Sequence, residues 1–170
     1  MTIKWIGALL VILGCGGVGF TMAACYRREE RSLRALVRAL DYMTCELQFR
    51  LTPLPQLVRQ AGRECGSVAG QVLVALAGEL ESQISPDVDS CMYAALSKID
   101  GVPNSTEEAL RLLGKCLGRF DLNGQLQGLE QIRAHCRREL GMLESGRDQR
   151  IRGYQTLGVC AGAALAILFV

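Results

Sequence analysis

The chain has 170 residues, with 19 Lys and Arg nearly balanced by 17 Asp and Glu, and 49% of it falls in the AVILMFWYC set. Adding the 19 Gly brings the apolar share to about 60%, above the roughly 45–50% of a soluble domain. The excess lies at the two ends, which excludes an ordinary soluble globule, a disordered tail and a collagen-like fibre.

In residues 1–26 the single charge is Lys4, and Trp5 to Tyr26 is an uncharged run of 22 residues. A helix needs about 20 to cross the hydrocarbon layer. A secretory signal, with Thr21-Met22-Ala23-Ala24-Cys25 as cleavage or lipidation site, competes with this reading. Against it, Arg27, Arg28 and Arg31 follow at once, and cations just after an apolar run resist translocation. Residues 1–26 are therefore expected to be a retained transmembrane helix.

Residues 27–152 carry 18 of the 19 cations and all 17 acids, on a length that can bury one core. No run alternates apolar and polar residues as a strand does, whereas three/four spacing recurs. Leu33, Leu36, Val37, Leu40, Met43, Leu47 and Leu51 form one stripe of a long first helix. Thr52-Pro53 predicts a new start, Thr52 as cap and Pro53 at the first position, for a helix bearing Leu54, Leu57, Val58 and Ala61 and ending around Gly62–Gly66. A third helix carries Val68, Val72, Leu73, Leu76 and Leu80. Ser85-Pro86 predicts the start of a fourth, with Cys91, Ala95, Leu96 and Ile99. After the turn 100–104, Ser105 or Thr106 is expected to open a fifth helix bearing Leu110, Leu113 and Leu117, with Glu107 and Glu108 in its first turn. Asp121 is the predicted cap of a last helix, with Leu122, Leu126, Leu129, Ile132 or Arg133, Cys136, Leu140 and Leu143 spaced to pack antiparallel along the first as far as Ser145-Gly146.

Residues 153–170 hold no charge and are expected to be a second transmembrane helix, at the short end of the spanning range. The fold class expected is thus all-α: a bundle of about six helices over 27–152 between two terminal spans. Arg27, Arg28, Arg31, Arg34 and Arg38 follow the first span and Arg147, Arg150 and Arg152 precede the second, so the positive-inside bias predicts a cytoplasmic central domain.

Charge is uneven along that domain. Segments 27–63 and 111–152 each carry a net +4, suited to the anionic headgroups of a lipid bilayer, whereas Glu79 to Glu108 holds seven acids and only Lys98. Six of those acids, Glu79, Glu81, Asp87, Asp89, Glu107 and Glu108, are candidates for docking a basic partner; a merely solvated face is the plainer reading.

Signatures of chemistry are missing. The eight cysteines stand at least ten residues apart, without zinc-ligand or C-x-x-C spacing, and His135 is the only histidine. No phosphate-cradling glycine motif follows a strand. Acids offset the arginines and aromatics are few, so nucleic acid is not an expected partner. Catalytic, cofactor and metal sites are all expected to be absent, and a thiol enzyme using the cysteines is the rival of a different class.

Glu46-Leu47 with Thr52-Pro53-Leu54, then Leu113-Gly114-Lys115-Cys116-Leu117-Gly118 followed by Asp121, all between two apolar ends, resemble the stage III sporulation protein AB family of endospore-forming bacteria. Pro55 departs from the family pattern, as does the Gly-rich, charge-poor final helix. The resemblance implies structural roles for Glu46, Thr52, Pro53, Leu54, Leu113, Gly114, Leu117, Gly118 and Asp121. It also implies a helical domain similar to those of type II secretion F platform proteins. The function implied is that of a channel component between mother cell and forespore, in the mother-cell membrane around the forespore, supporting late forespore gene expression. Partners implied are the other stage III components, including a secretion-type ATPase; a homo-oligomer is compatible with the layout. A platform protein of another secretion or pilus machine is the alternative within this class.

Overall fold

The computed structural model describes the backbone of residues 2–50, 52–82, 87–118 and 121–169, and the side chains of 24–50, 52–82, 87–118 and 121–145. Among them are six helices and no strand: α1 Thr2–Phe49, α2 Leu54–Cys65, α3 Val68–Ser82, α4 Val88–Ser97, α5 Asn104–Cys116 and α6 Leu122–Phe169. The all-α bundle expected from the sequence is the fold. The chain divides into two compact units, Glu29–Leu140 and, separately, Met1–Arg28 with Gly141–Val170. Apart from Ala24, Cys25 and Tyr26, the two expected spans lie outside the described side chains. Among the described residues no helix is long and apolar enough to cross a membrane.

In the Glu29–Leu140 unit the stripe on α1 is buried as its spacing requires. Leu33, Leu36, Leu40 and Met43 are fully covered and Leu47 nearly so, while Val37 is half-buried; Leu51 lies outside the described residues. Ala35 and Ala39 are buried beside them, because α1 has neighbours on two sides. Tyr42 donates to Gln60 of α2 (2.8 Å), and Arg133 of α6 reaches Asp41 (2.7 Å). The short helices then pack in chain order, α2 on α3, α3 on α4 and α4 on α5.

Two glycines set the α2–α3 crossing. A Cβ at Gly70 would stand 2.4 Å from the Gly62 carbonyl oxygen, and one at Gly62 would stand 2.8 Å from that of Gly70. The backbones touch there, and the contact lets Leu57, Val58, Ala61, Leu73, Leu76 and Ala77 close into the core. On the other side of the bundle Leu129, Ile132 and Cys136 of α6 are buried, and the Cys116 thiol sits against Gly128 and the Gln125 carbonyl. Leu122, expected on the same stripe, is instead 39% exposed at the helix start.

Four helix ends differ from expectation. Thr52 does not cap α2: its hydroxyl donates to Glu46 Oε2 (3.0 Å), and Pro53 flanks the helix rather than beginning it. A second carboxyl oxygen of Glu46 pairs with Arg50 (3.4 Å), so an almost buried acid ties the end of α1 to the following turn. Ser85-Pro86 lies outside the described residues, and α4 is capped by Asp87, whose Oδ1 accepts from Ser90 N–H (2.9 Å). Neither Ser105 nor Thr106 caps α5. Ser105 donates to Glu29 of α1 (2.6 Å), Thr106 is fully buried, and the helix starts from Pro103, whose carbonyl accepts from Glu107 N–H (2.8 Å). Finally, α6 continues past Ser145-Gly146 to Phe169, since a lone helical Gly costs only about 1 kcal/mol relative to Ala. Asp121 caps α6 as expected, Oδ1 accepting from Gly124 N–H (3.0 Å).

The Glu46–Thr52 bond gives a direct test. Thr52→Val keeps the shape and leaves Glu46 short of a donor, so a loss of about 1–3 kcal/mol is expected in urea unfolding of the full chain in mild detergent. A change below about 0.3 kcal/mol would show that the bond is idle.

Candidate interaction surface

The six acids of the 79–108 stretch do not form one free patch. Glu79 at the end of α3 is ion-paired with Lys98 beyond α4, and its side chain is only 15% exposed. Glu81 pairs with Arg59 of α2 (2.5 Å). Glu107 pairs with Arg111 one turn on (2.7 Å), and Asp87 is engaged as the α4 cap. Glu79 and Glu81 thus hold helix to helix, Asp87 closes a helix end and Glu107 braces its own helix. Asp89, half-buried, and Glu108, exposed, have no hydrogen-bond or ion-pair partner among the described residues.

What stands out beside those two acids is apolar and aromatic. Tyr93 follows Asp89 by one turn on α4 and is 64% exposed, with the Arg111 guanidinium 5.3 Å from its ring centroid. Leu112 follows Glu108 by one turn on α5 and is also exposed. Tyr and Arg in contact on a surface, next to an exposed Leu, have the composition that dominates protein interfaces. Sequence reasoning missed this face. The available signal was position: Tyr93 lies off the stripe of Cys91 and Ala95, so helical geometry turns it outward.

The motif residues are architectural. Leu113 and Leu117 are fully buried, and a Cβ at Gly114 would lie 2.7 Å from Met92 Cβ, so α4 and α5 touch there. Gly118 takes φ +77°, a left-handed conformation costly for other residues, with Val88 Cγ2 2.8 Å and Leu54 Cδ2 4.0 Å from where its Cβ would be. The Thr52-Pro53-Leu54 element and the Leu113–Asp121 element therefore meet in space, although about sixty residues separate them. None of these residues presents a reactive group to solvent except Asp121, whose carboxylate is used in capping.

The thiols are inert where they are buried. Burial raises Cys65 and Cys116 above the ordinary range and pushes Cys136 up to about 11. At neutral pH these groups are neutral thiols, not nucleophilic thiolates. Cys91 is buried too, while Cys25 and Cys45 are exposed. No three His, Cys, Asp or Glu side chains among the described residues are placed to hold a metal ion. Labelling with a thiol reagent at pH 7.5 is expected to modify Cys45 quickly, and Cys65, Cys91, Cys116 and Cys136 only on unfolding. Fast native labelling of Cys136, read by mass spectrometry, would contradict its burial.

A family model described as stage III sporulation protein AB matches residues 4–170. Stage III sporulation protein AB of Bacillus subtilis (strain 168) is 23% identical over 171 residues, covering 99% of both chains. A solved structure of stage III sporulation protein AB superposes with a TM-score of 0.63 at 19% identity, covering 72% of this chain and 98% of the other.

Proposed function

The chain belongs to the stage III sporulation protein AB family, and from that premise we propose that it is a non-enzymatic structural component of a sporulation apparatus joining mother cell and forespore. The supporting observation is the family match over residues 4–170, which takes in both apolar ends. In this reading residues 1–26 and 153–170 anchor the protein in the mother-cell membrane around the forespore. The helical domain of 27–152 stands in the cytoplasm, with the flanking arginines at the headgroups. A domain whose Leu113–Asp121 element serves packing and capping, and whose buried thiols are held protonated, fits a scaffold better than a catalyst.

The partner proposed for the helical domain is the secretion-type ATPase of the same apparatus, which it couples to the membrane complex. Of the six candidate acids, Asp89 and Glu108 are those left to meet a basic partner, with Glu79, Glu81, Asp87 and Glu107 holding the domain in shape. Asp89→Asn with Glu108→Lys is expected to weaken co-purification of the ATPase about tenfold or more without lowering the melting temperature. Intact co-purification rejects this surface. Deleting the gene in its source bacterium is expected to abolish late forespore gene expression, and normal sporulation rejects the function itself.

A further inference from the structure

Two hydroxyl groups in the interior of the Glu29–Leu140 unit stand without a hydrogen-bond partner among the described residues: Ser32 Oγ on α1 and Thr106 Oγ1 on α5. Ser32 is 2% exposed and Thr106 is fully buried. Taking a hydroxyl out of water without a replacement bond is costly, and nearly all such groups in folded proteins are satisfied. Both hydroxyls belong to one joint. Ser105, the neighbour of Thr106, donates to the Glu29 carboxylate (2.6 Å), and Glu29 lies three residues before Ser32 on the same side of α1. The first turn of α5 therefore rests on the turn of α1 that carries Glu29 and Ser32.

The start of α5 supplies further unmet groups. Pro103 flanks the helix with no side-chain cap, so the N–H groups of Asn104, Ser105 and Thr106 have no intrahelical acceptor. Helical side chains lean toward their own N-terminus, which brings the Thr106 hydroxyl back over these donors. We infer that one buried water occupies the α1–α5 joint, its oxygen accepting from a free N–H of the first α5 turn and its hydrogens donating to Ser32 Oγ and Thr106 Oγ1. About three protein partners is the usual complement of a buried water. An ion fits less well. The positive end of α5 disfavours a cation, and the Glu29 carboxylate already supplies the negative charge that this end attracts. The water does the work of the cap that neither Ser105 nor Thr106 performs, and it seats on α1 the helix that carries Glu108 and Leu112.

The sign of a melting shift tests this in the full chain in mild detergent. Thr106→Val keeps the shape and nearly the helix propensity of threonine while deleting its hydroxyl. If the hydroxyl holds a water, the variant loses a bond and leaves Ser32 and the water short of a partner, so the melting temperature is expected to fall by about 2–6 °C. If the hydroxyl is simply unsatisfied, replacing it with a methyl relieves a buried polar group and the temperature stays or rises, which overturns the inference. Ser32→Ala in both backgrounds checks that one water is shared. Its gain in helix propensity is common to the two, so Ser32→Ala is expected to be more favourable in the Thr106→Val chain, where the water is already lost, than in wild type. Additive shifts overturn the sharing. A high-resolution crystal structure of the wild-type chain decides the matter even where a variant fails to fold. An oxygen within hydrogen-bond distance of both hydroxyls is expected, and ordered Ser32 and Thr106 side chains with no density between them overturn the water.

Discussion

Leu113→Ala is expected to cost about 2–5 kcal/mol of unfolding free energy, the largest loss for a single side chain in the motif. Leu113 is fully buried on α5, one residue from the Gly114 contact with Met92 of α4 and one turn before buried Leu117. With α4 held against α5 at Gly114, the neighbours cannot collapse freely into the space that the truncation leaves. Cavity cost then adds to the lost transfer free energy. The measurement is urea unfolding of the full chain in mild detergent, where the midpoint falls while the slope is unchanged. A loss under about 1 kcal/mol would mean that the α4–α5 pair relaxes into the gap, contrary to a contact fixed by Gly114.

The second large effect is at the α2–α3 crossing. Gly70→Ala puts a methyl 2.4 Å from the Gly62 carbonyl oxygen, a backbone atom that cannot swing aside as a side-chain tip can. The helices must separate, and the layers of Leu57, Val58, Leu73 and Leu76 separate with them. A cost on the order of 3 kcal/mol is expected. Eight residues along the same helix, Gly78 has open space where its Cβ would stand. Gly78→Ala is expected to gain about 0.5–1 kcal/mol, because Ala loses less backbone entropy on entering a helix. Opposite signs for one chemical change within α3 separate steric contact from helix propensity, and thermal melts of the two variants read the difference directly. Equal effects would place the α2–α3 contact elsewhere.

Much of the bundle was legible because it is periodic. The stripe from Leu33 to Leu47, the leucines of α3 and α5 and the Asp121 cap are local patterns, and each appears where spacing predicts it. What could not be read depends on partners distant in sequence. Glu79 and Glu81 looked like part of a free acidic run, yet their partners Lys98 and Arg59 lie 19 and 22 residues away. Thr52 and Ser105 looked like caps because a hydroxyl before a helix usually is one. Glu46 and Glu29 on α1 took those hydroxyls instead, Glu29 from 76 residues away. The Gly62–Gly70 contact had no signature beyond two glycines. The α4–α5 face was hidden for the opposite reason: side chains that point into solvent leave no periodic trace, and composition alone counted Tyr93 among a few scattered aromatics.

The Asp41–Arg133 bridge joins residues 92 apart, with the first of them on α1 and the second on the last helix. During translation at about 5–20 residues per second, α1 leaves the ribosome roughly 5–18 seconds before the strand of chain that will flank it. For that interval the flank of α1 destined for α6 remains bare in the nascent polypeptide, and only α2 to α5 are on hand to shelter its leucines. Chaperone demand should therefore peak late in synthesis and vanish once residue 140 has cleared the exit tunnel.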